Sequence, residues 1–287
     1  MNPSARAIRW LAALALPLLA GSTSAYAWPT FTDVALEVGI DFVHETGAQG
    51  ERLFPESVGG GCVFFDYDRD GDLDLYVVNH IDFDLQAVHE QGLRMQYFNQ
   101  EVYYGPLGLD GEPDRLFMNR GDGTFADVSE ASGIGAVAMF GFQAVTFDYD
   151  EDGWPDLYVA NDMRPNFLFR NDGEGRFEEV GLISGVALSD NARPEAGMGT
   201  DFGDSDGDGD PDILFINSKR WDHDLAKLAE TTPPGEMPKP ATLSLWRNEG
   251  DWTFTEVTQE TGLAISLYGM GSAIGDFDND GDVDLLV

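Results

Sequence analysis

The feature that most constrains this chain is a nine-residue acidic pattern, DxDxDGxxD, which occurs four times in the same local setting. The copies are DYDRDGDLD (66–74), DYDEDGWPD (148–156), DSDGDGDPD (204–212) and DFDNDGDVD (276–284). A glycine-led apolar stretch precedes each: VGGGCVFF (58–65), FGFQAVTF (140–147), AGMGTDFG (196–203) and YGMGSAIG (268–275). A short apolar run follows each: LYVVN (75–79), LYVAN (157–161), ILFIN (213–217) and LLV (285–287). A third segment recurs three times, as RLFMNRGDGTFADVSEASGIG (115–135), FLFRNDGEGRFEEVGLISGVA (167–187) and SLWRNEGDWTFTEVTQETGLA (244–264). FTDVALEVGI (31–40) matches only its latter half.

Self-similarity at a period near 50 residues marks a stacked or radial repeat. Apolar runs of about five residues bounded by Gly, Asp and Asn read as strands. The Gly-Asp-Gly-Thr and Gly-Glu-Gly-Arg pieces read as hairpin turns, where glycine supplies positive φ without a steric cost. Each module therefore predicts four short antiparallel strands, with the acidic loop joining the first two. Those two strands are apolar without alternation, so both faces must be covered, as when four-stranded sheets stack radially. The expectation is an all-β β-propeller, with a β-sandwich as the competing architecture. Blades fall at 59–135, 139–187 and 196–264, with a partial one at 268–287, about three and a half in all. The 31–40 segment is expected to be the outer strand that closes the ring, so the chain reads as a truncated propeller over 28–287.

Alternate aspartates with a glycine at position six can aim several oxygens at one point, which suits calcium and its six to eight oxygen ligands at about 2.3–2.6 Å. The first loop offers Asp66, Asp68, Asp70 and Asp74, with the Asp72 carbonyl. The second offers Asp148, Asp150, Asp152 and Asp156, with the Trp154 carbonyl. The third offers Asp204, Asp206, Asp208 and Asp212, with the Asp210 carbonyl. The fourth offers Asp276, Asp278, Asp280 and Asp284, with the Asp282 carbonyl. Trp154 at position seven shows that this place needs no carboxylate, as a main-chain ligand requires. Position twelve holds Val77, Val159, Phe215 and Val287 rather than the glutamate of an EF-hand. A metal-free acidic turn is disfavoured, because two carboxylates ~4 Å apart repel by roughly 4 kcal/mol at an effective dielectric near 20. Calcium is expected at about one per blade, up to four in this chain.

The pattern GxG…DxDxDGxxDLYVxN followed by LFxNxGDGxFxDVxxxxGI resembles the FG-GAP/VCBS-type repeat of integrin-α-like propellers, and its glycine-led acidic copies resemble bacterial relatives of cartilage acidic protein. YYGPLGLDGEPDRLFMN (103–119) is similar to a segment of those proteins. The resemblance implies a seven-bladed, calcium-loaded propeller that is secreted and serves adhesion or contacts with carbohydrate and protein.

Formal net charge is −36, from 52 acidic and 16 basic residues, which disfavours nucleic acid and anionic membranes and favours divalent cations or basic partners. Residues 1–27 read as a signal peptide: Arg6 and Arg9, the apolar run LAALALPLLA, and an Ala25-Tyr26-Ala27 cleavage site. The apolar run is too short for a transmembrane span, and no later segment is long and apolar enough for one. An exported, periplasmic, secreted or cell-surface location follows. Cys62 is the single cysteine, so no intrachain disulfide exists, and its apolar neighbours predict a buried structural thiol.

Two inserts, 80–113 and 218–243, interrupt the repeat. The first holds His80, His89, Tyr97, Phe98, Tyr103 and Tyr104; the second holds Trp221, His223 and TTPPGEMPKPAT. Long loops on rigid scaffolds carry binding function, so an extracellular protein or carbohydrate could dock there, although the aromatics could equally cover their own loops. There is no HExxH and no Cys-His pairing, and the four histidines (His44, His80, His89, His223) are scattered. The chain is expected to be non-enzymatic. A propeller-scaffold polysaccharide lyase or hydrolase is the alternative, with active residues in the inserts or in a missing C-terminal part; separately, Glu56 in FPESVGGG is open to a general-acid role.

Overall fold

The computed structural model describes residues 32–42, 59–84, 86, 90, 92, 94–97, 100–103, 106, 108–189, 192–218, 243–265 and 269–287. A single body extends from Ala35 to Val287; of the separate segment Met1–Val34 only 32–34 are described. The signal-peptide reading, Glu56, His44, His89, Phe98, Tyr104, Trp221 and His223 lie outside the described residues.

The first blade begins with β1 (Cys62–Phe65) and β2 (Asp74–Val77), paired antiparallel across the first acidic loop. The first insert contributes a hairpin, β3 (Arg94–Tyr97) with β4 (Gln100–Tyr103), and a short strand β5 (Glu112–Pro113). The blade is completed by β6 (Arg115–Asn119) and β7 (Phe125–Asp127), giving the order β1-β2-β6-β7. β8 (Ala138–Met139) pairs with β5. The second blade is β9 (Gly141–Phe147), β10 (Asp156–Arg164), β11 (Phe167–Asn171) and β12 (Phe177–Glu179), each paired with the next. The third is β13 (Glu195–Gly203), β14 (Asp212–Ser218), β15 (Ser244–Asn248) and β16 (Phe254–Glu256), in the same order. The fourth is represented by β17 (Ala273–Gly275) and β18 (Asp284–Leu286). All pairings are antiparallel, and the strands form an all-β, incomplete propeller. Among the described residues no helix is long and apolar enough to cross a membrane.

The unbroken apolar runs serve two seams at once, because successive side chains on a strand point to opposite faces. Leu157 and Val159 of β10 face a cluster shared with Tyr76, Val78 and Leu116 of blade one. Tyr158 and Ala160, the alternate residues, face a second cluster with Ile213, Phe215 and Trp246 of blade three. β14 repeats the division, since Leu214 and Ile216 turn to a third cluster against Ile274 and Leu285. The core therefore lies between blades rather than inside any one of them.

Close backbone approach links the blades where the glycine-led strands begin. The Gly141 N–H donates to the Asn79 carbonyl at 3.0 Å, and a Cβ on Gly141 would meet that oxygen at 2.8 Å. At the next seam, β10 runs on past its own blade to pair with β13 through Asp162↔Ala196 and Arg164↔Glu195.

Two expectations need correction. Cys62 is exposed, whereas its repeat equivalents Ala144 and Thr200 are buried. Ala144 packs on blade one, and among the described residues no blade lies on the corresponding side of Cys62. The 31–40 segment shows no strand among its described residues: Ala35–Gly39 is a turn closed by Ile40 N–H on the Ala35 carbonyl at 2.9 Å. Its placement nonetheless follows the repeat. A Cβ on Gly39 would approach the Phe125 carbonyl, just as one on Gly133 would approach Phe177 and one on Gly185 would approach Phe254. Gly133 and Gly185 follow the one-turn helices Ser129–Ser132 and Gly181–Ser184, so 35–39 corresponds to that turn and not to the strand before it.

Candidate metal centres in the acidic loops

Each loop folds on itself through the same backbone. Position four is left-handed in every copy, with φ of 59° at Arg69, 55° at Glu151, 78° at Gly207 and 60° at Asn279. Position six, glycine in every copy, has φ between 92° and 104°, where a side chain is costly. The position-one carboxylate then accepts the position-six N–H: Asp66 from Gly71 at 3.1 Å, Asp148 from Gly153 at 2.8 Å, Asp204 from Gly209 at 3.1 Å, Asp276 from Gly281 at 3.0 Å. Position five accepts from position seven in the same way, as with Asp152 and the Trp154 N–H at 2.9 Å.

Position nine is a clamp. One oxygen of Asp156 accepts the Tyr149 N–H at 3.1 Å, and the other accepts the Asn171 N–H at 2.7 Å. Asp74 does the same for Tyr67 and Asn119, and Asp212 for Ser205 and Asn248. Asp284 accepts the Phe277 N–H at 3.0 Å. Each clamp ties its loop to the blade beneath, and in the first three it does so at the third-strand asparagine.

The carboxylates converge in four groups whose ligand atoms lie within 4.8 Å of one another: Asp66, Asp68 and Asp70; Asp148, Asp150 and Asp156; Asp204, Asp206 and Asp212; Asp276, Asp278 and Asp284. Positions one and three are thus brought together in every loop. Position nine joins them in loops two to four, and position five only in loop one. Asp74, Asp152, Asp208 and Asp280 stand outside these groups, although each belongs to its loop.

Two oxygens decide how well a cation fits. Oδ1 of Asp66 and Oδ1 of Asp148 are buried and have no hydrogen-bond partner. An unpaired buried carboxylate oxygen is costly, and a cation among the neighbouring carboxylates would satisfy it. In loops three and four the same oxygen turns inward, Asp204 to Gly207 N–H at 2.7 Å and Asp276 to Asp280 N–H at 3.1 Å. An oxygen-only, multiply anionic donor set of this kind suits calcium.

Electrostatics point the same way. Burial, above all, pushes Asp156 up to about 8 and Asp74 up to about 6, against the pull of the backbone N–H groups they accept. Asp68 and Asp150 are raised by burial first, with the neighbouring aspartates adding to it. Without a cation, these loops hold their charge at a cost.

Sequence reasoning missed two kinds of residue that carry the loops. The asparagines ending the third strands of blades two and three reach across the seam: the side-chain amide of Asn171 donates to the Tyr67 carbonyl at 2.8 Å, and that of Asn248 to the Tyr149 carbonyl at 2.9 Å. The tyrosine at position two inserts between blades, with Tyr67 6.1 Å from Phe177 and Tyr149 6.2 Å from Phe254, ring centre to ring centre. The recurrence of Asn119, Asn171 and Asn248 in register was the available signal.

Of the insert residues, His80 packs with its ring centre 4.5 Å from that of Phe142 and 5.9 Å from Phe140, and burial pushes its imidazole down to about 4. It packs against those two rings.

Three segments, 99–159, 148–215 and 237–287, match the FG-GAP-like repeat, well over half the chain together. The chain belongs to the FG-GAP-like repeat family. Loops two, three and four fall inside those matches, and loop one repeats their backbone turn. Among curated proteins, this FG-GAP repeat chain is similar to cartilage acidic protein 1 of Xenopus tropicalis, 28% identical over 179 residues, which is 61% of this chain and 25% of that protein. The human protein of that name is 26% identical over 178 residues, 61% of this chain and 24% of its own length. The chain thus spans about a quarter of the length of the curated relatives it matches. A solved Agrocybe aegerita lectin, described as recognising non-reducing terminal N-acetylglucosamine, covers 78% of this chain and 59% of its own at 14% identity. Its TM-score of 0.33 carries no argument about shape or ligand.

Proposed function

We propose that this chain is an exported calcium-binding propeller module for extracellular recognition, in which the acidic loops hold one calcium each. The observation that carries the reading is the pair of buried, unpartnered oxygens on Asp66 and Asp148, each within reach of two further carboxylates. Positions one, three and five would supply side-chain ligands, with position nine sharing a carboxylate between the backbone and the ion. The carbonyls of Asp72, Trp154, Asp210 and Asp282 would complete the shell.

Recognition of a protein or carbohydrate partner belongs to the inserts at 80–113 and 218–243, and export to residues 1–27. Membership of a repeat family and similarity to cartilage acidic protein support a binding role over an enzymatic one. Isothermal titration of the metal-stripped chain tests the calcium claim. It should show saturable binding approaching four ions per chain, reduced by one in Asp148→Asn, with magnesium a poor competitor. Absence of heat above dilution would overturn it, and depolymerisation of a polysaccharide by the calcium-loaded chain would overturn the non-enzymatic part.

A further inference from the structure

The four loops share a backbone but not a charge environment. In loop two, Arg170 Nε lies 3.6 Å from Oδ2 of Asp150, whose side chain is only 2% exposed. This places a fixed cation against one of the three carboxylates that converge there. Its guanidinium also stacks 5.3 Å from the ring centre of Trp252, on the third-strand hairpin of the next blade. Trp252 has φ of 72°, where the equivalent residues of blades one and two are Gly123 at 87° and Gly175 at 84°. A bulky residue in that conformation is strained, and here it faces the arginine. A second guanidinium approaches from blade one: Arg69 donates to the Gly153 carbonyl at 2.8 Å and lies 5.4 Å from the Trp154 ring centre.

Among the described residues, no other loop has a guanidinium within ion-pair distance of its position-three carboxylate. Blade one carries Met118 where blade two has Arg170. Blade three carries Arg247, which turns to Glu249 at 2.8 Å and acts on Asp206, the position-three carboxylate of loop three, only beyond ion-pair distance. Among the described residues, loop two is therefore the one whose position-three carboxylate is already paired with a cation.

We infer that Arg170, held by Trp252, is an internal counter-ion that competes with calcium for Asp150, so that loop two binds more weakly than the same loop would without it. This rests on the calcium reading above. Two positive charges within a few ångströms of one carboxylate repel, and the guanidinium must be displaced or its attraction given up when the metal enters. Seam contacts then change together with occupancy, because the same guanidinium bridges loop two to blade three.

Loop two carries its own reporter. Trp154 sits at position seven, where the other loops have aspartate, so terbium bound as a calcium surrogate in loop two is sensitised by tryptophan excitation. The test is a terbium titration of the full chain, read by tryptophan-sensitised emission, alongside calcium calorimetry. Arg170→Met, which installs the blade-one residue, should tighten the sensitised site by roughly tenfold, whereas Arg170→Lys should leave it close to wild type. Trp252→Gly, which restores the turn residue of the other two blades, should also tighten it by releasing the arginine, and it tests the idea independently if Arg170→Met fails to fold. Equal affinity in Arg170→Met and wild type, or equal tightening by the methionine and the lysine, overturns the counter-ion role. No terbium emission and no calcium heat in the wild type would instead overturn the calcium reading on which it stands.

Discussion

At the scale of single residues, the aspartates of one loop do different work. Asp156 accepts two backbone N–H groups and is almost fully enclosed, whereas Asp152 braces the turn through the Trp154 N–H alone and is exposed. Replacing Asp156 with alanine leaves two buried donors unpaired, at about 1–3 kcal/mol each. In EGTA, Asp156→Ala should lose several kcal/mol in urea denaturation, while Asp152→Asn should stay within about 0.5 kcal/mol of wild type and lose only calcium affinity. Equal destabilisation by both would contradict the division.

Buried groups away from the loops set a pH dependence that EGTA does not remove. Burial holds the Asp162 carboxyl up at about 7 from its ordinary 3.8. Asp114 is raised to about 7 by the same cause, opposed by its bonds to the Tyr76 hydroxyl and the Asn79 N–H. Each binds its proton more tightly in the folded chain than in the unfolded one. Its contribution is therefore full below about pH 4 and is lost as pH rises through 7. His80, lowered from 6.5 to about 4, acts oppositely, and its contribution is lost as pH falls through that window. Asp162→Asn should match wild type near pH 4 and exceed it near pH 8, by an amount on the order of 1–3 kcal/mol, in denaturation measured without metal. An unchanged difference across that range would remove Asp162 from the account.

At the scale of strands and loops, what was legible in the chain was what recurs locally. The glycine at position six, the aspartates at odd positions and the glycine-rich hairpin turns each mark a backbone requirement met within a few residues, so four-stranded blades and their loops could be placed from the text alone. What crosses a seam was not legible. Asn171 has an ordinary place at a strand end, and nothing local shows that its amide reaches Tyr67, 104 residues earlier. Cys62 failed for the same reason: its apolar neighbours are local, but its exposure depends on what packs beyond blade one. In the loops, position nine was read as a ligand like the others, because its second role needs the asparagine of a strand that follows much later. The seam itself is open to test. A methyl group at Gly141 would lie 2.4 Å from Val78 Cγ1 and 2.8 Å from the Asn79 carbonyl, so blade two could approach blade one only by shifting. Gly141→Ala should cost about 1–3 kcal/mol in thermal or urea unfolding, and a neutral result would show that the blades are held elsewhere.

At the scale of the whole molecule, stability is distributed over seams, since each apolar cluster joins two blades and no disulfide is available. Uncovered apolar surface is most concentrated on the fourth blade, with Met270 65% exposed, Phe277 84% and Leu286 72%. Such surface beside open strand edges favours association. The chain as given should sediment as a concentration-dependent mixture, and a strict monomer across a wide concentration range would contradict this. Within the body, loops one and two meet the next blade through the tyrosine at position two and the asparagine across the seam. A cation in the loop therefore stabilises the seam as well as the hairpin. The most direct test is the melting temperature of the chain in saturating calcium against EGTA. At calcium 100-fold above its dissociation constant each filled site adds about 2.7 kcal/mol, so the account predicts a rise on the order of 5 °C or more, reduced by about half in a chain carrying Asp66→Asn and Asp148→Asn. A melting temperature that is the same in calcium and in EGTA would contradict it.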